Sequence, residues 1–199
     1  MEIYLKYMVS IRCRMIAKNE LESLAIPHRN IEAGMIVIPS RLTASQDKLL
    51  RARLFKMGIE MLSRESSEII EQIVRSVDEM INGPSLRSVK HEDAFIANRS
   101  KSEVDFWSEL FAEVKGISIK QYILSQKIES VKVHLLYSDK KVKELSSQFN
   151  FRSVESLRNE FKKFTGLTPS FYRQLKSKRG EGIEHRPKDE SGPTKMSAS

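Results

Sequence analysis

The sequence predicts an α+β fold in which strands and helices alternate over the first sixty residues and only helices follow. Three observations support this prediction. Residues 2–62 contain four short strand patterns and two helical patterns, in the order strand, helix, strand, strand, helix, strand. Residues 91–178 space their apolar side chains as helices do. Residues 180–199 are rich in Gly, Ser, Pro and charge, which predicts a disordered tail of the 199-residue chain.

The first half of the strand–helix region has recognisable signals for each element. Residues 2–10 alternate apolar and polar side chains, which predicts a strand whose core face carries Ile3, Leu5, Tyr7 and Val9. A helical pattern follows over residues 11–24 and is stopped by Pro27. Residues 30–38 predict two short strands that turn at Gly34, because Gly permits the positive φ of a tight hairpin.

The second half of this region completes the pattern. Thr43 and Gln46 have the spacing of a capping box, so a second helix begins there and ends at Gly58. Residues 59–62 supply the fourth strand. This order predicts a ferredoxin-like βαββαβ plait over residues 1–63. A connecting helix and linker occupy residues 64–87, with apolar side chains three and four residues apart: Ile69, Ile70, Ile73, Val74, Val77 and Ile81.

The segment from residue 139 to residue 178 predicts two short helices joined by a tight turn. Val142, Leu145 and Phe149 form one face of the first helix, and Asn150 tolerates the left-handed conformation of a sharp turn. Ser153 can cap the second helix, and Gly166 ends it. Thr168 then opens a further helix. The inner face of the second helix is predicted as Val154, Leu157, Phe161 and Phe164. This arrangement is a helix-turn-helix.

Charge is concentrated in the same part of the chain. Residues 115–179 contain 15 Lys and Arg against 5 Asp and Glu, a net charge of +10. The whole chain carries +8, so the remaining residues sum to −2. A basic block of this kind is an electrostatic footprint for a polyanion, most commonly nucleic acid, although a solvated basic surface explains the charge alone equally well.

Residues 146–173 resemble the AraC/XylS family of bacterial transcription regulators. The resemblance rests on the capping Ser153, the Phe-Lys-Lys at 161–163, the Gly-Leu-Thr-Pro at 166–169 and the Tyr-Arg at 172–173; Asn150 replaces the usual Gly. The family implies a double helix-turn-helix module, which we place at residues 88–179. Its first unit would comprise a helix at 92–99 and a reading helix at 106–116. A linker helix at 117–137 would turn inward Tyr122, Ile123, Ile128, Val131 and Leu135.

The resemblance also implies site residues. Positions that reach base edges in the family correspond to Glu155, Arg158 and Asn159, and Ser156 lies on the same outward face. Side chains and helix starts suited to phosphates are Ser153, Lys162, Lys163, Thr168 and Arg173. The first reading helix would present Asp105, Ser108 and Glu109. Residues 90–114 contain six acids and three bases, a net of −3, so charge disfavours DNA binding by this first unit.

The N-terminal plait resembles heavy-metal-associated domains, whose loop after the first strand carries Met-x-Cys-x-x-Cys. Here Ser10 occupies the first cysteine position and leaves Cys13, the only cysteine of the chain. Arg12 and Arg14 flank this thiol and would repel a cation. We therefore expect no metal site, and a single cysteine excludes an intrachain disulfide and fits a reducing cytosol.

The remaining patterns exclude several classes of protein. The chain has no secretory signal pattern, no membrane-length apolar run, no phosphate-binding Gly-rich loop and no nucleophile motif; the four His are scattered. We expect no enzyme and no cofactor, but a cytoplasmic, sequence-specific transcription regulator that reads duplex DNA with the helix at 153–164. The N-terminal domain would bind RNA polymerase, a second copy of the chain or an unidentified effector. The alternatives are a protein-interaction regulator without independent DNA binding and a metal or thiol sensor using Cys13.

Overall fold

The computed structural model describes residues 1–83 and 101–175. The chain divides into two compact units, Met1–Lys127 and Ile128–Ser199. The predicted helix at 92–99, most of the linker before it and the predicted disordered tail at 180–199 lie outside the described residues. The predicted domain boundaries after residues 63, 87 and 179 stay predictions.

The first unit begins with the predicted plait. Its four strands form one antiparallel sheet in the order β2-β3-β1-β4, and each helical crossover skips one strand. This is the ferredoxin-like βαββαβ topology that the element order predicts. The elements are β1 (Glu2–Lys6), α1 (Ile11–Ser23), β2 (Asn30–Glu32), β3 (Met35–Val37), α2 (Ala44–Lys56) and β4 (Glu60–Met61).

One face of the sheet packs against α1 and α2. Ile3 and Leu5 of β1 share a buried cluster with Leu21 of α1 and with Leu50 and Leu54 of α2. The predicted start of α2 is confirmed, since the Thr43 hydroxyl accepts from the Gln46 N–H while the Gln46 side chain accepts from the Thr43 N–H. Leu49 and Phe55 of the same helix are exposed, because only one narrow stripe of α2 meets the sheet.

The first strand is shorter than predicted. β1 ends at Lys6, because Tyr7 adopts a positive φ of 65° that breaks the extended conformation. The predicted inward positions of Tyr7 and Val9 are therefore wrong, and both side chains are 48% exposed. Tyr4, which the alternation places on the opposite face, is 3% exposed. Both faces of β1 are thus buried, and the strict alternation expected of a half-exposed strand does not apply.

The second face of the sheet is covered by two further helices. α3 spans Arg64–Asn82 and α4 spans Lys101–Lys115. Tyr4 of β1 and Ile70 of α3 share a second buried cluster with residues of α4. The sheet is therefore packed between helices on both sides. The members of this cluster are Tyr4, Leu62, Ile70, Ile73, Leu110, Phe111 and Val114.

The second unit is helical in its described part. The helices in this part of the chain are α5 (Ile119–Tyr137), α6 (Val142–Gln148), α7 (Val154–Thr165) and α8, which begins at residue 169 and is described to residue 175. The buried side chains of these helices include Ile128, Val131, Leu135, Leu145, Phe149, Leu157 and Phe161. Among the residues that the structure describes, no helix has the length and apolarity needed to cross a membrane.

Candidate nucleic-acid interface

The turn between α6 and α7 has the geometry that the sequence predicts. Asn150 adopts a φ of 52°, the left-handed conformation that Asn tolerates better than most residues. The turn is closed by a hydrogen bond of 2.9 Å from the Phe151 N–H to the Ser146 carbonyl. α6 and α7 therefore form a helix-turn-helix, and the direction in which α7 leaves the turn is fixed locally.

Both predicted helix starts are capped by hydroxyl groups. Ser153 accepts from the Ser156 N–H at 3.0 Å, at the start of α7. Thr168 accepts from the Phe171 N–H at 3.3 Å, at the start of α8. Gly166 ends α7 with a φ of 75°, as its missing side chain permits. These contacts fix the ends of α7.

The inner face of α7 is anchored by two large side chains. Leu157 and Phe161 have no exposed surface, and the Phe161 ring meets Tyr172 of α8 edge to face at a centroid distance of 5.4 Å. The predicted inward position of Phe164 is wrong, since this side chain is 48% exposed. Phe164 lies on the same stripe, but in the last turn of the helix, where the packed core ends.

The outer face of α7 carries the predicted base-reading residues. Glu155, Arg158 and Asn159 are exposed, and Ser156 is half-buried. Within this group Arg158 Nη1 lies 3.4 Å from Glu155 Oε2, one helical turn away. Both partners are more than half exposed, so water screens the pair. The four side chains thus share one solvent-facing surface.

Two lysines extend this surface toward the C-terminal end of α7. Lys162 and Lys163 are exposed, and the Lys163 ammonium lies 3.0 Å from a Glu160 carboxylate oxygen. Ser156 and Asn159 line the same shallow surface depression as these lysines. Predicted base-reading and phosphate-contacting side chains therefore lie side by side along α7.

Arg173 has a partner inside the protein. Its guanidinium Nη2 donates a hydrogen bond to the main-chain carbonyl of Lys140, immediately before α6. Its Nε is buried and makes no hydrogen bond within the described residues. Arg173 therefore links α8 to the start of the helix-turn-helix, a role that the sequence does not reveal because 33 residues separate the two groups. Its phosphate contact stays a prediction.

His134 connects α5, which is the predicted linker helix, to α6. The Nε2 atom of His134 lies 3.2 Å from Gln148 Nε2, and its ring meets Phe149 edge to face at 5.5 Å. Lys140 Nζ donates to the amide oxygen of the same Gln148 at 2.8 Å. Burial, and then the charge of Lys140, lower the pKa of His134, while a main-chain hydrogen bond with Ser130 opposes them. No sequence pattern indicates this network, because a lone His matches no metal or catalytic spacing.

The predicted first reading helix corresponds to α4, which the structure places in the first unit. Asp105, Ser108 and Glu109 are exposed, and the Ser108 hydroxyl donates to the Val104 carbonyl at 2.7 Å. The opposite face of α4 is buried through Phe111 and Val114. The outward-facing positions predicted for α4 are thus accessible, while the helix predicted to precede it lies outside the described residues.

The lone thiol of the chain lies in the first turn of α1, just after the loop that follows β1. Cys13 is half-buried, and its Sγ accepts a hydrogen bond from the Ser10 hydroxyl at 3.1 Å. Ser10 also caps α1 by accepting from the Cys13 N–H at 3.1 Å. In the described part of the chain, no three His, Cys, Asp or Glu side chains are grouped so that they could hold a metal ion.

Comparison with known proteins places the helical segment in a family. Residues 104–175 match the family described as "Helix-turn-helix domain". The HTH-type transcriptional regulator YtdP of Bacillus subtilis is 31% identical over 81 residues, covering 41% of this chain and 10% of that protein. The melibiose operon regulatory protein of Escherichia coli is 29% identical over 84 residues, covering 42% of this chain and 28% of that protein. The chain thus spans about a tenth and about a quarter of these curated relatives.

A solved structure is also similar over this region. The DNA-binding domain of the transcriptional factor AdpA, determined in complex with a target DNA, aligns with a TM-score of 0.46 and 23% identity, covering 55% of this chain and 94% of that chain. The description of the matching family agrees with the helix-turn-helix that α6 and α7 form. At residues 104–175, the chain therefore contains a helix-turn-helix domain.

Proposed function

We propose that this protein is a sequence-specific DNA-binding regulator of transcription, with α7 inserted in the major groove. The observation that carries the proposal is the outward face of α7. Three polar side chains suited to base edges are exposed there, Glu155, Arg158 and Asn159, on a helix whose two ends and inner face are fixed. A helix of this width fits the major groove, where each base pair presents its own pattern of donors and acceptors.

Each residue of this face has a preferred partner among the bases. The Arg158 guanidinium suits the O6 and N7 acceptors of guanine, and the Asn159 amide suits the N6 and N7 atoms of adenine. Glu155 can accept from the N4 amino group of cytosine, and the Ser156 hydroxyl can donate or accept. The exposed pair between Glu155 and Arg158 costs little to break, so both groups are available to DNA.

Other groups would hold the helix on the phosphate backbone. Ser153 and Thr168, at the starts of α7 and α8, are exposed, and helix starts favour anions because their first main-chain N–H groups have no partner within the helix. Lys162 and Lys163 supply positive charge next to the base-reading face. Arg173 would reach a phosphate only by giving up its bond to the Lys140 carbonyl, so we give it the smaller share of the contact energy.

We assign a lesser role in DNA binding to α4. Its exposed Asp105 and Glu109 carboxylates can accept from cytosine, but in a groove they face two rows of phosphates. The second helix-turn-helix would therefore supply most of the affinity, while α4 discriminates weakly or contacts another protein. The plait would meet RNA polymerase, a second copy of the chain or a small effector. The protein would act in the cytoplasm and without catalysis.

Selection from a random duplex library tests this proposal. Bound duplexes would be recovered and sequenced for wild type and for the variant Arg158→Ala with Asn159→Ala. Wild type should enrich a defined sequence, and the double variant should enrich none. Arg64→Ala is the matched control, because Arg64 is also an exposed helical arginine with a neighbouring glutamate. Equal enrichment by wild type and the double variant would overturn the assignment of α7.

A further inference from the structure

The loop that follows β1 closes the C-terminal end of α4. The Tyr7 N–H donates to the main-chain carbonyl of Glu113 at 2.8 Å. This carbonyl lies in the last turn of α4, where the final carbonyls of a helix have no partner within the helix itself. Tyr7 has a φ of 65°, a conformation that costs free energy for any residue with a side chain. Its contacts with α4 offset that cost.

Two side chains bind the two oxygens of the Glu113 carboxylate. The Tyr7 hydroxyl donates to Oε1 at 2.7 Å, and the Lys6 ammonium lies 2.9 Å from Oε2. We call these three residues the Glu113 cluster. Its hydrogen bonds, that from Lys6 first and that from Tyr7 second, lower the pKa of the Glu113 carboxyl. One residue of α4 is thus held by two consecutive residues at the end of β1, through both main chain and side chain.

Two glycines lie at the C-terminal end of α4, where the approach of neighbouring segments leaves no room for a side chain. A Cβ added at Gly34, in the β2–β3 hairpin, would lie 2.0 Å from the Val114 carbonyl oxygen. A Cβ added at Gly116 would lie 2.7 Å from Cγ1 of Val9. Two glycines are therefore required where the hairpin and the loop meet the end of α4. Gly34 meets the main chain of α4 and Gly116 meets the Val9 side chain, so this close contact adds to the burial of Phe111 and Val114.

Lys115 adds a further contact at the same end of the helix. Its ammonium lies 5.7 Å from the centre of the Tyr4 ring, within the range of a cation–π interaction. Tyr4 is 3% exposed and belongs to β1. The last turn of α4 therefore contacts the core of the sheet through Lys115 and the loop after the sheet through Glu113.

From this arrangement we infer that Tyr7 is a positioning residue for α4, the first reading helix. Tyr7 holds the last turn of α4 through Glu113, so the loop after β1 sets the orientation of the face that carries Asp105 and Glu109. This inference rests on the proposed function for the reading role of α4, but the attachment itself can be measured without DNA. It assigns to the loop after β1 a direct control over the position of α4.

Hydrogen exchange followed by mass spectrometry tests the attachment in the whole 199-residue chain. Tyr7→Phe removes only the hydroxyl group of a side chain that is 48% exposed, so we expect the fold to stay intact. We expect peptides covering residues 104–118 to exchange about fivefold faster, which corresponds to one lost hydrogen bond. Glu113→Ala should have a larger effect, and Glu113→Gln, which keeps an acceptor for Tyr7, a smaller one. Phe55→Ala, an exposed aromatic on α2, is the control and should change nothing in this segment.

Two results would overturn the inference at this stage. Unchanged exchange over residues 104–118 in both Tyr7→Phe and Glu113→Ala would show that the Glu113 cluster does not hold α4. An equal increase over α7 would show a general loss of stability.

A footprint of the same variants on a selected duplex then tests positioning. Tyr7→Phe should alter protection on one side of the α7 site only. A footprint identical to that of wild type contradicts the inference. If wild type binds no duplex, the proposed function fails and the exchange result alone decides the attachment.

Discussion

At the scale of single residues, the useful distinction on α7 is between side chains that read bases and side chains that hold phosphates. Arg158 and Lys163 are both exposed, and each lies near a glutamate on its own helix, Glu155 at 3.4 Å and Glu160 at 3.0 Å. Their surroundings are thus closely matched. Their chemistry differs, because a guanidinium can bond two acceptors of one guanine while an ammonium is a point charge.

The substitution Arg158→Ala should cost about 1–3 kcal/mol of binding free energy on the preferred duplex and relax the preference at one base pair. Lys163→Ala should weaken binding to all duplexes about equally, because a phosphate contact carries no sequence information. Anisotropy titrations on the selected duplex and on a scrambled one measure both effects. The assignment of roles is wrong if the two variants lose affinity to the same degree on every sequence.

His134 makes the stability of the second unit depend on pH. Its pKa is lowered in the folded protein, chiefly by burial, so the unfolded chain binds a proton more readily than the folded one. The contribution of the neutral ring is complete above the ordinary histidine pKa of about 6.5 and is lost as the pH falls through the lower folded value. Thermal unfolding of wild type and His134→Gln between pH 8 and pH 5 should show a steeper loss for wild type. Parallel curves for the two proteins would contradict this role of His134.

At the scale of elements, local signals in the sequence were sufficient where the structure depends on a few neighbouring residues. The capping box of Thr43, the turn at Asn150 and the end of α7 at Gly166 are all confirmed, because each depends on contacts within a few positions. The extent of β1 could not be predicted in this way. Tyr7 ends the strand through a bond to Glu113, 106 residues away, and nothing near Tyr7 in the sequence indicates that partner.

The same limit applies to the candidate site. The outward face of α7 follows from helical periodicity and the family resemblance, so Glu155, Arg158 and Asn159 were predicted together. Two polar contacts of the site join segments that are distant in sequence: the hydrogen bond from Arg173 to Lys140 and the contact of His134 with Gln148. The spacing of apolar residues within one helix cannot predict such contacts. Long-range polar contacts are therefore the part of the site that only the structure supplies.

Phe161 and Phe164 provide a matched pair for the packing of α7. Phe161 has no exposed surface and contacts Tyr172, so Phe161→Ala should lower the free energy of unfolding by about 3–5 kcal/mol. Phe164→Ala should cost far less, since 48% of that side chain is already exposed. Chemical denaturation measures both. Equal losses for the two variants would mean that α7 packs in another register.

At the scale of the whole molecule, charge separates the two reading helices. Residues 115–179 carry a net +10, whereas residues 90–114 carry −3. We therefore expect the variant with Asp105→Asn and Glu109→Gln to bind non-specific DNA more tightly without a narrower sequence preference, because it removes repulsion from the phosphates. Competition titrations with scrambled duplex measure the change. Two results together would show that the acidic helix α4 reads bases. The variant would lose specific binding, and wild type would protect equally the DNA segment under α4 and the DNA segment under α7.

We expect the basic block at residues 115–179 to bind duplex DNA. Anisotropy titration of the 199-residue chain with a duplex at a series of salt concentrations measures this binding and its electrostatic component. Each phosphate that a lysine or arginine neutralises contributes about −0.9 to the slope of log K against log salt. With contacts from Lys162, Lys163 and the starts of α7 and α8, we predict a steep negative slope that becomes shallower by about one unit in Lys163→Ala. A slope indistinguishable from zero would contradict the claim.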